Sequence, residues 1–262
     1  MKLNFYKYQG TGNDFIIIEN FIQNNPSFDI QNIPFLCDRK FGIGADGLII
    51  MNKVENADFE VDYYNSDGTK SFCGNGARCA VSFAKKLGII SKKAHFLAID
   101  GFHFAEMKEK EVYLQMNNVD KILVHKENIN YELNTGSPHF IQFVENSLNI
   151  DVQKDGKKIR YSPQYNDEGI NVNFVEIIKN QLLEVATYER GVENETLSCG
   201  TGVVASALAY SEKMNLNLGD HEIEVHTKGG HLKVKFEKKS SHYENIFLIG
   251  PAVFVFSGEI EV

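Results

Sequence analysis

Two cysteines in this chain stand in matching surroundings. In "SFCGNGARCAVSFAKKLG", Ser71 to Gly88, Cys73 precedes Gly-Asn-Gly and a helical run; in "LSCGTGVVASALAYSEKM", Leu197 to Met214, Cys199 precedes Gly-Thr-Gly and a second one. A helix start offers outward-pointing N–H groups and roughly +0.5 of a charge, which favours anions and stabilises a thiolate. Each thiol is therefore a candidate proton acceptor or donor at neutral pH. The glycines that follow, Gly74 and Gly76 or Gly200 and Gly202, let a carboxylate approach the backbone N–H groups. If a pseudo-twofold axis relates the two stretches, both helix starts point into one cleft and a thiol faces each side of an α-carbon. One thiolate removes the α-proton, the other thiol returns one to the opposite face, and the carbon inverts. Preorganised donors on the carboxylate then take the carbanion's charge, so no imine cofactor is needed, provided water is kept out.

The elements that must position these cysteines also repeat. "TGNDF" begins at Thr11, 62 residues before Cys73, and "TGSPHF" begins at Thr135, 64 residues before Cys199. Each half then has a strand ending in Tyr plus a polar residue, "YYNSDG" or "TYERGV", shortly before its cysteine. Short alternating stretches such as "KLNFYKYQ", "GLIIMNKV", "NINYELN", "GINVNFVEII" and "HLKVKFE" read as half-buried strands. Two helices stand out. Ala77, Ala80, Val81, Ala84 and Leu87 fall at helical spacing before Gly88, and a run from about Gly200 to Met214 is apolar nearly all round, so other structure must wrap it. A shorter helix is expected over Pro34 to Lys40. The fold class expected is α+β, two pseudo-symmetric β-rich domains, each a curved sheet or barrel around one central helix. The first spans 1–119 and is completed by 250–262; the second spans 120–249.

Composition narrows the partners. The chain has 262 residues, 43% hydrophobic, with a net charge of -8 and no basic stripe, which argues against nucleic acid and against a membrane surface. No leader-like or membrane-length apolar run is present, so a cytoplasmic protein is expected. Four cysteines are too few for a disulfide scaffold, and Cys37 and Cys79 read as small buried hydrophobes. "GIGADG", Gly42 to Gly47, has the spacing of a dinucleotide loop but precedes a strand rather than following one, and the histidines show no metal-ligand pattern.

"GTGNDF", "CGNGARC" and "ERGVENETLSCGTG" together resemble, in order and spacing and across essentially the whole chain, the signatures of the diaminopimelate epimerase family. "CGNGARC" is the specific element; proline racemases and phenazine-biosynthesis-like isomerases share the duplicated frame without it. The resemblance implies cofactor-independent interconversion of LL- and meso-2,6-diaminopimelate, in lysine and cell-wall precursor synthesis, by a homodimer that needs no metal. It implies Cys73 as acid and Cys199 as base in the LL to meso direction, with His139 and Glu189 also counted among the catalytic residues. It implies that Gly74, Asn75, Gly200 and Thr201 hold the reacting carboxylate and that Asn13 lines the cleft. Asn65, Asn171, Glu189 and Arg190 would read the distal amino-acid end, where Arg190 grips a carboxylate with two donors and Glu189 pairs an ammonium.

Three positions depart from the family pattern. Ser137 stands where many members carry Asn, Gly47 where some carry Gln, and "ERGVENETLSC" has one residue more than the commoner loop, which must therefore bulge. Ser137 would reach a ligand through water. Three other readings stay open on residues alone: a racemase or isomerase of the same frame acting on another amino acid, a cysteine hydrolase using one thiol with His139, and a non-catalytic carboxylate-binding module. The pair of Arg190 with Glu189 argues against a small ring substrate, and the duplicated Cys-Gly-x-Gly argues against a single nucleophile.

Overall fold

The computed structural model describes residues 2–21, 29–125 and 130–262; the first two residues of the expected strand "NINYELN" lie outside them. The chain divides into Met1–Leu114 with Gly250–Val262, and Gln115–Ile249. The division falls earlier than 119/120 because Met116 N donates to Ile246 O at 2.8 Å and Val119 bridges to Tyr243, which ties 116–119 to the second unit. Among the described residues no helix is long and apolar enough to cross a membrane.

In the first unit β1 (Lys2–Gly10) and β2 (Asn13–Glu19) form a tight antiparallel hairpin. Its two-residue turn needs positive φ twice, and Thr11 (52°) and Gly12 (82°) supply it. After α1 (Ile33–Cys37), β3 (Gly47–Asn52) runs parallel to β2, and β4 (Phe59–Asn65) returns antiparallel to β3. The expected helix at Pro34 thus starts one residue earlier and stops at Cys37, where Asp38 is extended and accepts from Lys40 and Phe41 N. Then comes α2 (Gly74–Lys86), followed by β5 (Lys93–Ala98), parallel to β4, and the antiparallel β6 (Gly101–Lys108) and β7 (Glu111–Gln115). Every residue of α2 from Gly74 to Val81 is buried, which a helix at the edge of a sheet could not achieve.

The second unit repeats this order. β8 (Ile122–His125) pairs with β9 (Asn130–Asn134), which is antiparallel to β10 (Pro138–Val144). Helix α3 (Val152–Arg160) follows, then β11 (Asn171–Lys179), parallel to β10, and β12 (Leu182–Glu189), antiparallel to β11. A short β13 (Asn194–Thr196) folds back on β12 before α4 (Gly200–Lys213). β14 (Gly219–Thr227) lies parallel to β12, with β15 (Gly230–Lys238) and β16 (Tyr243–Pro251) antiparallel in turn. Helix α3 buries only the narrow face of Val152, Gly156 and Ile159 among charged residues; Asp151 caps it, and Gly156 lies where a Cβ would come within 2.4 Å of Tyr188.

Both units therefore share one sequence of moves: hairpin, helix, parallel strand, return strand, buried helix, parallel strand and two antiparallel strands. The last strand, β17 (Val253–Glu261), pairs antiparallel with β1 and does for the first unit what β8 does for β9 in the second. This is the two-repeat, strand-rich fold expected from the duplicated sequence pattern.

Candidate active site

Cys73 is the N-cap of α2 and Cys199 the N-cap of α4, both in extended conformation and neither capping with its side chain. The first bonds back to the caps come from Ala77 N to Cys73 O at 2.8 Å and Val203 N to Cys199 O at 2.9 Å. The N–H groups of the Gly-x-Gly triplets consequently point out of each helix end, beside the sulfur.

Around Cys73, the thiol donates to Asn13 Oδ1 at 3.5 Å, and Asn75 Nδ2 donates to the same oxygen at 3.2 Å. Asn13 Nδ2 donates to Asp46 Oδ2 at 2.7 Å; a carboxylate only accepts, so the Asn13 oxygen must face the sulfur. Asp46 is itself held by Arg39 at 2.7 Å, and Arg39 and Lys7 both bridge Asp14. Burial opposes the Asp14 charge, but the bonds from Arg39 and Lys7 outweigh it and hold the carboxyl down to about 2. Further along α2, Arg78 is fully buried, and its Nη2 donates to Thr11 Oγ1 at 3.3 Å.

Around Cys199 the surroundings are polar. The sulfur is 3.5 Å from Thr201 Oγ1, Thr201 Oγ1 is 2.9 Å from His139 Nε2, and His139 Nδ1 is 3.0 Å from Asn173 Nδ2. Asn173 also donates to Phe140 O at 3.1 Å and accepts from Thr187 at 2.9 Å. His139 is wholly buried; burial first, and then the charge of Arg190, push its imidazole down to about 3, so it is neutral at working pH.

The remaining expected residues take these places. Asn65, at the end of β4, donates to Thr69 Oγ1 at 3.0 Å and accepts from Ser71 at 3.3 Å. Asn171 donates to Ser137 Oγ at 2.6 Å and accepts from Arg190 N at 2.9 Å, so Ser137 and Asn171 meet within one unit. Arg190 donates from Nη1 to Glu168 O at 2.8 Å, and Glu189 ends β12 beside it. The longer loop before Cys199 closes as a hairpin, with Gly191 and Glu193 at positive φ and Glu193 N bonded to Glu189 O at 2.8 Å. Cys37 and Cys79 are buried; burial pushes the Cys37 thiol up to about 11 and that of Cys79 upward too.

Two glycines serve packing. At Gly202 a Cβ would lie 2.4 Å from Asn173 Oδ1, and at Gly47 one would lie 2.4 Å from Tyr63 Cε2. At Gly47, where some family members carry Gln, the Tyr63 ring takes the space. Sequence reasoning missed Asn173, Thr187 and Asp46. A signal existed for the first: Asn171 and Asn173 are polar at i and i+2 at the start of a largely apolar strand, which puts two amides on one buried face.

A sequence model described as diaminopimelate epimerase matches residues 5–122 and 131–255. A curated diaminopimelate epimerase of Flavobacterium psychrophilum is 50% identical over 98% of this chain and 100% of its own length, and one from Chlorobaculum tepidum is 40% identical over 96% and 98%. Among solved structures, a phenazine biosynthesis protein of the PhzF family from Bacillus anthracis superposes with a TM-score of 0.76 at 13% identity, covering 100% of both chains. A hydroxyproline epimerase from Agrobacterium vitis gives 0.69 at 11% identity, covering 99% of this chain and 92% of its own. Those two likenesses carry the fold alone. Full-length similarity to the curated enzymes, on a frame with one cysteine capping each buried helix, places this chain in the diaminopimelate epimerase family.

Proposed function

We propose that this protein interconverts LL- and meso-2,6-diaminopimelate without a cofactor, with one cysteine acting on each face of the reacting α-carbon. In the LL to meso direction Cys199 takes the α-proton, the C–H electron pair moves onto the carboxylate-stabilised carbanion, and Cys73 gives its proton to the opposite face. The observation that carries this reading is the pair of cysteine caps in equivalent positions of two repeats. Partner chemistry supports the division of labour: Cys73 donates to an amide oxygen, as an acid's S–H does, and Cys199 lies against a hydroxyl. Gly74, Asn75, Gly200 and Thr201, at the two helix starts, hold the reacting carboxylate. Asn13 lines that end. Arg190, Glu189, Asn65 and Asn171 read the distal amino-acid end, and His139 and Glu189 support the proton transfers.

We assign the protein to the cytoplasm and to a homodimer. The dimer rests on β17, where Val253, Phe254, Val255 and Phe256 are consecutive yet 39 to 52% exposed. The function is tested by incubation with LL-diaminopimelate in deuterated water and chiral analysis. Deuterium at the α-carbon together with meso product is expected; a product without deuterium, or no product, overturns the reading.

A further inference from the structure

The two repeats differ at one level of the fold. Phe15 stands opposite Gly47 across β2 and β3, as His139 stands opposite Asn171 across β10 and β11. Two residues on, Ile49 faces Tyr63 in the first unit and Asn173 faces Thr187 in the second. Phe15 and Ile49 are the side chains a Cβ at Gly76 would meet; His139 and Asn173 are those a Cβ at Gly202 would meet. Three side chains that are an apolar and aromatic wall behind one helix start are thus a buried polar chain behind the other.

The direction of that chain follows from its ends. Phe140 O only accepts, so the Asn173 amide presents its NH₂ to both Phe140 O and His139 Nδ1. With Nδ1 accepting, the neutral imidazole carries its proton on Nε2 and donates to Thr201 Oγ1. A hydroxyl that already accepts from His139 has its own proton to place, and Cys199 Sγ at 3.5 Å is the acceptor beside it. A hydrogen bond donated to sulfur stabilises the thiolate over the thiol. No proton travels along the chain, since Asn173 cannot accept one at its NH₂.

We propose that Asn173, through His139 and Thr201, presets Cys199 as the thiolate before substrate arrives. Asn173 and His139 are positioning residues in this respect, and Thr201 is the group that touches the sulfur. The proposal deepens the two-thiol reading above and rests on it only for the use made of the thiolate. The charged and titratable groups around the chain are few. His139 lies on β10, Glu176 and Lys179 lie on the far part of β11, Glu189 and Arg190 end β12, β9 brings Glu132, which is tied to His125, and α4 brings Tyr210, which bonds Asn180, and then Glu212 and Lys213.

The test is the pH dependence of iodoacetamide alkylation at Cys199 in the free enzyme, followed residue by residue by mass mapping. Mapping separates Cys199, itself 7% exposed, from Cys37 and Cys79, whose thiols burial pushes up. Thr201→Val is expected to move the midpoint for Cys199 up by about one pH unit, so that alkylation at neutral pH falls about tenfold while the high-pH plateau is kept. Thr201→Ser, which keeps the hydroxyl, should stay within about twofold of the parent, and Asn173→Leu should shift the midpoint in the same direction as Thr201→Val. An unchanged profile in Thr201→Val with a native circular-dichroism spectrum overturns the proposal. So does a shift in Thr201→Ser as large as that in Thr201→Val. The readout needs no substrate, so a failed deuterium experiment removes the epimerase reading without touching this result.

Discussion

Cys73 and Cys199 occupy the same place in their repeats, but one sulfur lies against an amide oxygen and the other against a hydroxyl, and a two-base inversion needs both. Cys73→Ala and Cys199→Ala should each reduce epimerisation below ~10% of the parent rate, because general acid–base catalysis on two faces cannot be done from one. Activity above that level in either variant, measured by appearance of meso product, would remove the two-thiol mechanism. Arg190 makes a different demand. Its backbone N–H and one guanidinium nitrogen are already placed by Asn171 and Glu168 O, which leaves the planar head preset rather than searching. Arg190→Lys keeps the charge and loses the two-donor geometry, so KM should rise about thirtyfold, or about 2 kcal/mol, with kcat much less changed. Parent-like kinetics would leave Arg190 outside the substrate site.

At the scale of elements, the start of α4 is a tight fit between a helix and the polar chain on β10 and β11. Gly202→Ala gains helix propensity but drives a Cβ to 2.4 Å from Asn173 Oδ1, and overpacking of that kind costs about 1–3 kcal/mol. Gly76→Ala meets Ile49 and Phe15 at 3.3 and 3.4 Å, a contact that small shifts relieve. Thermal melts should therefore show a clear loss for Gly202→Ala and a smaller one for Gly76→Ala; equal melting points would contradict this account of α4. The junction of β1, β2 and β3 carries one acid-sensitive contact. Asp14 is held down to about 2 by Arg39 and Lys7 against its own burial, so its contribution is complete above its unfolded value of 3.8 and is lost as pH falls toward 2. The amount is about 2 kcal/mol. Urea melts across that window should show the slope in the parent and a flatter one in Asp14→Asn, which is also less stable at neutral pH because it leaves the buried Lys7 without its carboxylate.

At the scale of the whole molecule, the repeats differ in how each first strand is completed. The second unit uses β8, which directly precedes β9, whereas the first waits for β17 at the far end of the chain. That strand carries four consecutive apolar residues at its surface. Val255→Asp places a charge in the middle of that stretch and should convert the proposed dimer to a monomer in size-exclusion chromatography with light scattering. A parent that is already monomeric would overturn the dimer, and a variant that remains dimeric would move the interface away from β17.

Residue spacing was enough for the duplication, the two buried helices and the cysteine caps, because each is written in local terms: a Cys-Gly-x-Gly string, a helical run, a turn before it. The family strings pointed to the family for the same reason. Helix α3 was missed although Asp151 and the spacing of Val152, Gly156 and Ile159 mark it, because a central glycine reads as a break until Tyr188 from a distant strand is seen to need the space. The polar chain behind Cys199 was not legible. Thr187, Asn173, His139 and Thr201 come from β12, β11, β10 and α4, and only strand register sets them side by side. The first unit has equivalent positions with Phe, Ile and Tyr, so the string repeats while its surroundings do not. Cysteine at a helix start is a local property; which protonation state its neighbours favour is a property of hydrogen bonds that cross from strand to strand, and tertiary structure alone decides it.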